Sequence, residues 1–262
     1  MSNGDIPAGR RASLANTDGW TGLKSHTTAR IALGRAGASL PTSEVLNFGL
    51  AHAQAKDAVH LAFDAAAIAA IVKSMGLEPL LVESAAPSRE SYLRRPDLGR
   101  RLADESRARL FADRQEGADI GIVIGDGLSA TAIHRNVEPL LRALTPILRV
   151  KHLAVSPVTI ARNARVALAD EVGVALGVRC VLMLIGERPG LSSPDSIGAY
   201  LTFDPRVGKN DADRNCVSNI RPGGLSFGEA AHKLVWLIEE AFRVQATGVQ
   251  LKDNSPTFVL LG

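Results

Sequence analysis

The sequence predicts an α/β protein: a doubly wound, mostly parallel sheet, preceded by an N-terminal helical region and a flexible tail. Three observations carry that expectation. Two short apolar runs, 120–124 and 181–185, each end in a glycine and an acid, as Gly125-Asp126-Gly127 and Gly186-Glu187. Runs of this length read as buried central strands, and the glycine lets the backbone turn sharply. From residue 116 onward, apolar runs alternate with helical periodicity, the pattern of parallel strands joined by crossover helices. Near the C-terminal end, Ser226-Phe-Gly-Glu229 has the spacing of a capping box before a long amphipathic stretch.

Residues 1–25 are rich in Gly, Ser, Asn, Thr and Asp and read as a tail. A loop with Arg30 and Arg35 follows. Pro41 opens a helix over 41–55, with Val45, Leu46, Gly49, Leu50 and Ala53 on one side. A second helix is expected over 64–75, stopped by Gly76, and then a strand over 79–83. Within Arg94-Arg95-Pro96-Asp97-Leu98-Gly99-Arg100-Arg101, Asp97 reads as the N-cap of a helix that turns Leu98, Leu102, Leu110 and Phe111 inward. Strands are then expected over 119–124, 150–155, 178–185 and 198–203, with helices over 129–144 and 158–175. Residues 211–220 read as a polar loop. In the last helix Ala230, Ala231, Leu234, Leu237, Ile238 and Ala241 recur at helical spacing. The resulting organisation is a tail (1–25), a mainly helical region (26–115), a Rossmann-like α/β domain (116–250) and a C-terminal tail (251–262).

Composition narrows the function. The net charge of the 262-residue chain is only +3, and aromatics make up 4% of it. Without a basic block or a stacking surface, no nucleic-acid partner is expected. No apolar stretch is long enough to span a bilayer, so no membrane role is expected either. Two cysteines make no disulfide framework, which fits a reducing compartment.

Ligands of open α/β sheets lie beyond the carboxyl ends of the strands, which draws attention to Asp126 and Glu187. Asp126 reads either as a ligand-facing carboxylate or as a turn acid for the following helix. Glu187 reads either as a side chain aimed into a cleft, held by Pro189, or as the partner of Arg188 in a surface ion pair. Cys216 is either a small apolar group or a thiol at a site, and Cys180 is core. The cluster from Arg94 to Arg101 fits a carboxylate or phosphate site, a partner interface or a solvated helix start. None of the six histidines makes a metal-binding or hydrolytic pair. Phosphate-loop, dinucleotide and nucleophile-elbow motifs are absent. The residues alone therefore leave three readings open: a binding subunit, a standalone nucleotide-binding enzyme using Asp126 and Glu187, and a structural scaffold.

A resemblance decides among them. The Arg94–Leu102 segment, Gly125-Asp126-Gly127-Leu128-Ser129, Gly186-Glu187-Arg188-Pro189-Gly190-Leu191 and Asp213-Arg214-Asn215-Cys216-Val217-Ser218-Asn219-Ile220 occur in this order. With Gly34-Arg35-Ala36-Gly37 and Lys56-Asp57 upstream, the chain from about Thr28 to Gly248 resembles the small (light) chain of ethanolamine ammonia-lyase. The resemblance implies an adenosylcobalamin-dependent lyase, converting ethanolamine to acetaldehyde and ammonia, whose cofactor lies between this chain and a large catalytic subunit. It implies a hetero-oligomer inactive without that subunit. It also implies cobalamin contacts at Val166 (an apolar wall), Glu187 (an acceptor for the cofactor's amides) and Cys216 (packing), with no catalytic residue or metal ligand here. The sequence has no Asp-x-His-x-x-Gly segment, which fits base-on cobalamin. The family implies a bacterial cytoplasmic enzyme, with encapsulation in a microcompartment where a longer amphipathic extension directs it. Residues 1–25 do not read as such an extension.

Overall fold

A computed structural model describes residue 16, residues 18–114 and residues 117–257. Most of the expected N-terminal tail and the last residues of the C-terminal one lie outside this range. The chain divides into two units, 1–54 and 55–262, with the boundary inside the first helix.

In the first unit, a 3-10 turn at Thr21–Ser25 precedes helix α1 (Thr42–His60). The side of α1 read as apolar is not a buried face. Val45, Leu46, Phe48 and Leu50 are exposed, and only Ala58, beyond the boundary, is buried.

The second unit is an α/β layer structure. Its described elements are α2 (Ala65–Ser74), β1 (Pro79–Glu83), α3 (Arg89–Arg94), α4 (Asp104–Ala112), β2 (Ile120–Gly125), α5 (Ala130–Val150), β3 (Val158–Arg162), α6 (Leu168–Leu176), β4 (Cys180–Gly186), β5 (Ile197–Phe203), β6 (Asn215–Ile220) and α7 (Phe227–Val244). The strands form one sheet in the order β1-β3-β2-β4-β5-β6. The first four are mutually parallel, and β5 and β6 extend the sheet in antiparallel fashion. The expected mostly parallel sheet is therefore mixed at one edge.

Alternation in the strands sends side chains to two faces. On one face Ile120, Ile122 and Ile124, Leu182 and Leu184, and Ile197 and Leu201 are buried with apolar residues of α2, α5 and α7. On the other, Val123, Val181, Met183 and Ile185 meet α4 and α6 through Leu110, Leu168, Val172 and Leu176. Cys180 is fully buried, as expected, and its thiol is pushed up to about 12 by that burial. The capping box of α7 is formed, with the Ser226 hydroxyl accepting from the Glu229 amide at 3.3 Å.

Five local expectations are corrected. Residues 158–162 are strand β3, not the start of a helix, as the β-branched Val158, Thr159 and Ile160 favour. Residues 150–155 are the end of α5 and the turn after it, not a strand. Helix α5 runs through Pro139 and Pro146, because Leu140, Leu141, Leu144 and Leu148 bury a continuous stripe that outweighs the lost backbone bonds. Asp97 makes no capping bond: residues Leu98–Arg100 are a 3-10 turn, and α4 begins at Asp104 with acids in its first turn. Finally, part of the polar loop, residues 215–220, is edge strand β6.

The two glycine-acid loops stand side by side because β2 and β4 are neighbours. The Leu128 amide donates to the Gly186 carbonyl at 2.9 Å. A Cβ on Gly127 would lie 2.2 Å from that carbonyl oxygen, and one on Gly186 would lie 2.1 Å from the Ser129 carbonyl. Both glycines are required by close backbone approach.

Candidate functional site

Beyond the helix-covered part of the second face lies an open area over β5 and β6. The helices that pack against these two strands are α5 and α7, both on the first face. The strand register lines up Met183, Tyr200 and Cys216 across β4, β5 and β6. Met183 is buried, Tyr200 is half-buried and Cys216 is exposed.

Glu187 joins this row from the end of β4. Its amide donates to the Ser196 carbonyl at 3.0 Å, which continues the antiparallel pairing past Gly186. Its side chain lies over Gly198, with Oε1 3.0 Å from where a Cβ would stand. Oε2 accepts from the Asn219 amide at 3.2 Å. The expected alternative, an ion pair with Arg188, is not made among the described residues. The carboxylate keeps spare acceptor capacity on a half-buried surface.

Electrostatics ties the three groups together. Burial raises the Cys216 thiol pKa above its ordinary value; hydrogen bonding from Tyr200 lowers it and the Glu187 charge raises it. Tyr200 is raised by burial first, then by Cys216 and Glu187. The thiol is therefore protonated at neutral pH, and the row presents a carboxylate, a phenol and a thiol side by side.

Val166 lies in the segment between β3 and α6, half-buried against the apolar cluster of the second face to which Tyr200 also belongs. The structure thus brings Glu187 and Cys216 directly together and sets Val166 on the same face of the sheet.

Asp126 does different work. It is 3% exposed and its oxygens are engaged: Oδ1 accepts from the Ala164 amide at 3.0 Å, and Oδ2 pairs with the Arg89 guanidinium at 3.1 Å. Burial pushes its carboxyl up, opposed by Arg89 and by backbone donors. Arg89 also donates to the carbonyls of Val59 and Gly127. This network pins the backbone at Ala164, two residues before Val166, so Asp126 is a positioning group.

The arginine cluster separates into two local pairs, with Arg100 and Arg101 outside them. Arg94 pairs with Glu90 and Arg95 with Asp97, all four exposed. Pairs of this kind contribute little to stability. Arg100 instead lines a cavity next to Val166. Sequence reasoning passed over Tyr200 and Arg214. The spacing Gly198, Tyr200, Thr202 was the available signal for Tyr200, because those residues share one face. Arg214 is buried in a bidentate pair with Asp170 of α6, with both bonds at 2.6 Å.

Among the described residues no group of three or more His, Cys, Asp or Glu side chains gathers to hold a metal. No described helix is long and apolar enough to cross a membrane.

The family profile described as ethanolamine ammonia-lyase light chain matches residues 17–252. The chain belongs to the ethanolamine ammonia-lyase light-chain family. Curated relatives agree along nearly the whole length. The ethanolamine ammonia-lyase small subunit of Xanthomonas campestris pv. campestris is 54% identical over 241 residues, 91% of this chain and 89% of the relative. Its namesake from Azotobacter vinelandii is 53% identical over 246 residues, covering 93% and 91%. The one from Pseudomonas syringae pv. tomato is 53% identical over 246 residues, covering 93% and 86%. The light-chain segments singled out in the sequence build the site. The Gly186–Leu191 loop supplies Glu187, the Asp213–Ile220 segment supplies Cys216 and Arg214, and the Gly125–Ser129 loop supplies Asp126.

Proposed function

We propose that this chain is the small subunit of an adenosylcobalamin-dependent lyase that converts ethanolamine to acetaldehyde and ammonia, and that it forms one wall of a cofactor cleft closed by a large catalytic subunit. The observation that carries this reading is the row Glu187, Tyr200 and Cys216 on the part of the sheet face that no described helix covers.

The residues suit a corrinoid. Its rim carries amide side chains, and Glu187 offers them a carboxylate acceptor already fixed by the Asn219 amide. Protonated Cys216 is a small, soft packing surface, and Val166 an apolar wall. Protonated Cys216 is a weak nucleophile and Val166 is inert, which suits a binding wall with the reacting substrate held elsewhere. When bound, the cofactor supplies the organic radical chemistry of the reaction. The part of this chain is to bind the cofactor, orient it and exclude water from it. Glu187, Cys216 and Val166 would hold the corrin by hydrogen bonding and packing rather than by ligating its metal.

The exposed apolar residues of α1, Val45, Leu46, Phe48 and Leu50, support a chain that meets another subunit. The test is ethanolamine turnover with adenosylcobalamin present. The chain alone is expected to be inactive, and addition of the large subunit is expected to restore acetaldehyde formation. Full turnover by this chain alone would refute the reading.

A further inference from the structure

Helix α5 gives the main core an apolar stripe, yet polar side chains are buried with it. Ser129, its N-cap, is fully buried, and Asn136, two turns in, is 3% exposed. Burying a polar group is costly unless a partner satisfies it, so the partner each one finds is informative.

Both reach the segment that leads from the Glu187 loop into β5. The Ser129 hydroxyl donates to the Pro194 carbonyl at 2.8 Å, and the Asn136 side-chain amide donates to the Asp195 carbonyl at 2.6 Å. The next carbonyl, that of Ser196, accepts from the Glu187 backbone amide at 3.0 Å. Three consecutive carbonyls are thus taken by three donors, two from α5 and one from Glu187 itself. The backbone of Glu187 rests on a segment that α5 holds in place.

The rest of the loop gives Glu187 less support. Arg188, Leu191 and Ser192 at its tip are exposed. Asp195 also pairs with Arg135 at 3.3 Å, but that guanidinium is 64% exposed, and such pairs contribute little. The buried donors of α5 are therefore the anchors of the returning leg. Helix α5 packs on the first face, whereas the Glu187 side chain lies over Gly198 on the second.

We propose that Asn136 is a positioning residue for Glu187: from the opposite face of the sheet it fixes the 194–196 carbonyls and thereby aims the Glu187 carboxylate at the open face. The aim of the carboxylate follows from the geometry of this chain, and its consequence for a corrinoid rests on the cofactor reading above. A carboxylate binds well only where the structure behind it locks its direction. Without the Asn136 donor, Glu187 keeps its charge but loses its fixed place beside the Asn219 amide and Cys216.

Two readouts test this, one of them without any cofactor. The first is the rate of Cys216 alkylation by iodoacetamide in the full chain. Because the Glu187 charge raises the Cys216 thiol, a carboxylate that swings away speeds the reaction below the ordinary thiol range. Asn136→Leu is expected to speed it in the wild-type background and to add less than about twofold once Glu187 is Gln. Equal acceleration in both backgrounds would mean general loosening and overturn the inference, as would no acceleration in either. The second readout is the dissociation constant of adenosylcobalamin for the complex with the large subunit. Asn136→Leu is expected to weaken binding about fivefold, less than the loss from Glu187→Gln, and by less than about twofold when combined with Glu187→Gln. Equal losses in the two backgrounds would overturn the link to the cofactor. Failure of the wild-type complex to bind adenosylcobalamin would remove the cofactor reading, and the alkylation rates would still decide the role of Asn136. Ser129→Ala removes the neighbouring donor and is expected to shift both readouts in the same direction, which keeps the test in force if Asn136→Leu does not fold. Arg135→Gln, which removes only the exposed pair, is expected to change neither.

Discussion

At Cys216, three influences meet on one thiol: burial and the Glu187 charge raise its pKa, and Tyr200 lowers it. Alkylation of the isolated chain by iodoacetamide should therefore be slow at neutral pH and accelerate as pH rises past the ordinary thiol range. Replacing Glu187 by Gln removes a negative charge, so the reaction should become faster at a given pH below that range; Tyr200→Phe should make it slower. A pH profile of the second-order rate checks both signs, and identical profiles for the three proteins would separate Cys216 from its neighbours. His134 gives a stability test. Burial lowers its pKa from the ordinary 6.5, with Asp64 opposing, and its Nε2 accepts from the Asp64 amide at 3.0 Å. The unfolded chain thus binds the proton more readily, and stability should fall as pH drops through about 6.5. His134→Gln keeps an acceptor and should flatten that slope in denaturant midpoints measured between about pH 7.5 and pH 5.5.

Among the elements, the legible ones were those with a single clear period. The runs of β2 and β4, the helix α2 and the capped α7 all combine an unbroken pattern with end signals. The illegible ones had competing signals. The expected helix ended at residue 144, yet the buried leucines carry α5 on to Val150, and the strand expected over 150–155 lies instead at Val158–Arg162. Strand β6 buries only Val217 and Ile220, its pairing with β5 has a register shift, and its exposed Ser218 and Asn219 disguise it as a loop. Glu187 was legible as the acid at a strand end, but the open face over β5 and β6 is why a role for Cys216 was legible only through a family motif, while Tyr200 was missed. Their meeting depends on antiparallel pairing that no local pattern announces. The Arg214–Asp170 pair ties the start of β6 to α6. Arg214→Ala leaves a buried carboxylate uncompensated and should cost about 3–5 kcal/mol in urea unfolding. Ser226→Ala, at the cap of α7, should cost about 1 kcal/mol by the same measurement.

At the scale of the molecule, the sheet divides its labour. Its first face is covered by helices from β1 to β6 and carries the main core. Its second face is covered by α4 and α6 as far as β4; beyond it Thr202 is buried under Arg214, Tyr200 is half-buried and Cys216 is exposed. Asp126 and Arg89 hold the segment that leads to Val166 at the border between the covered and open parts. The described part of the chain offers one well-anchored wall, the arrangement that the proposed shared cofactor cleft requires. The central claim is that this wall holds adenosylcobalamin through Glu187. The most direct measurement is the dissociation constant of adenosylcobalamin for the complex assembled with Glu187→Gln, against that of the wild-type complex. Affinity should fall about tenfold, the loss expected for one charge-assisted hydrogen bond; an unchanged constant would contradict the claim.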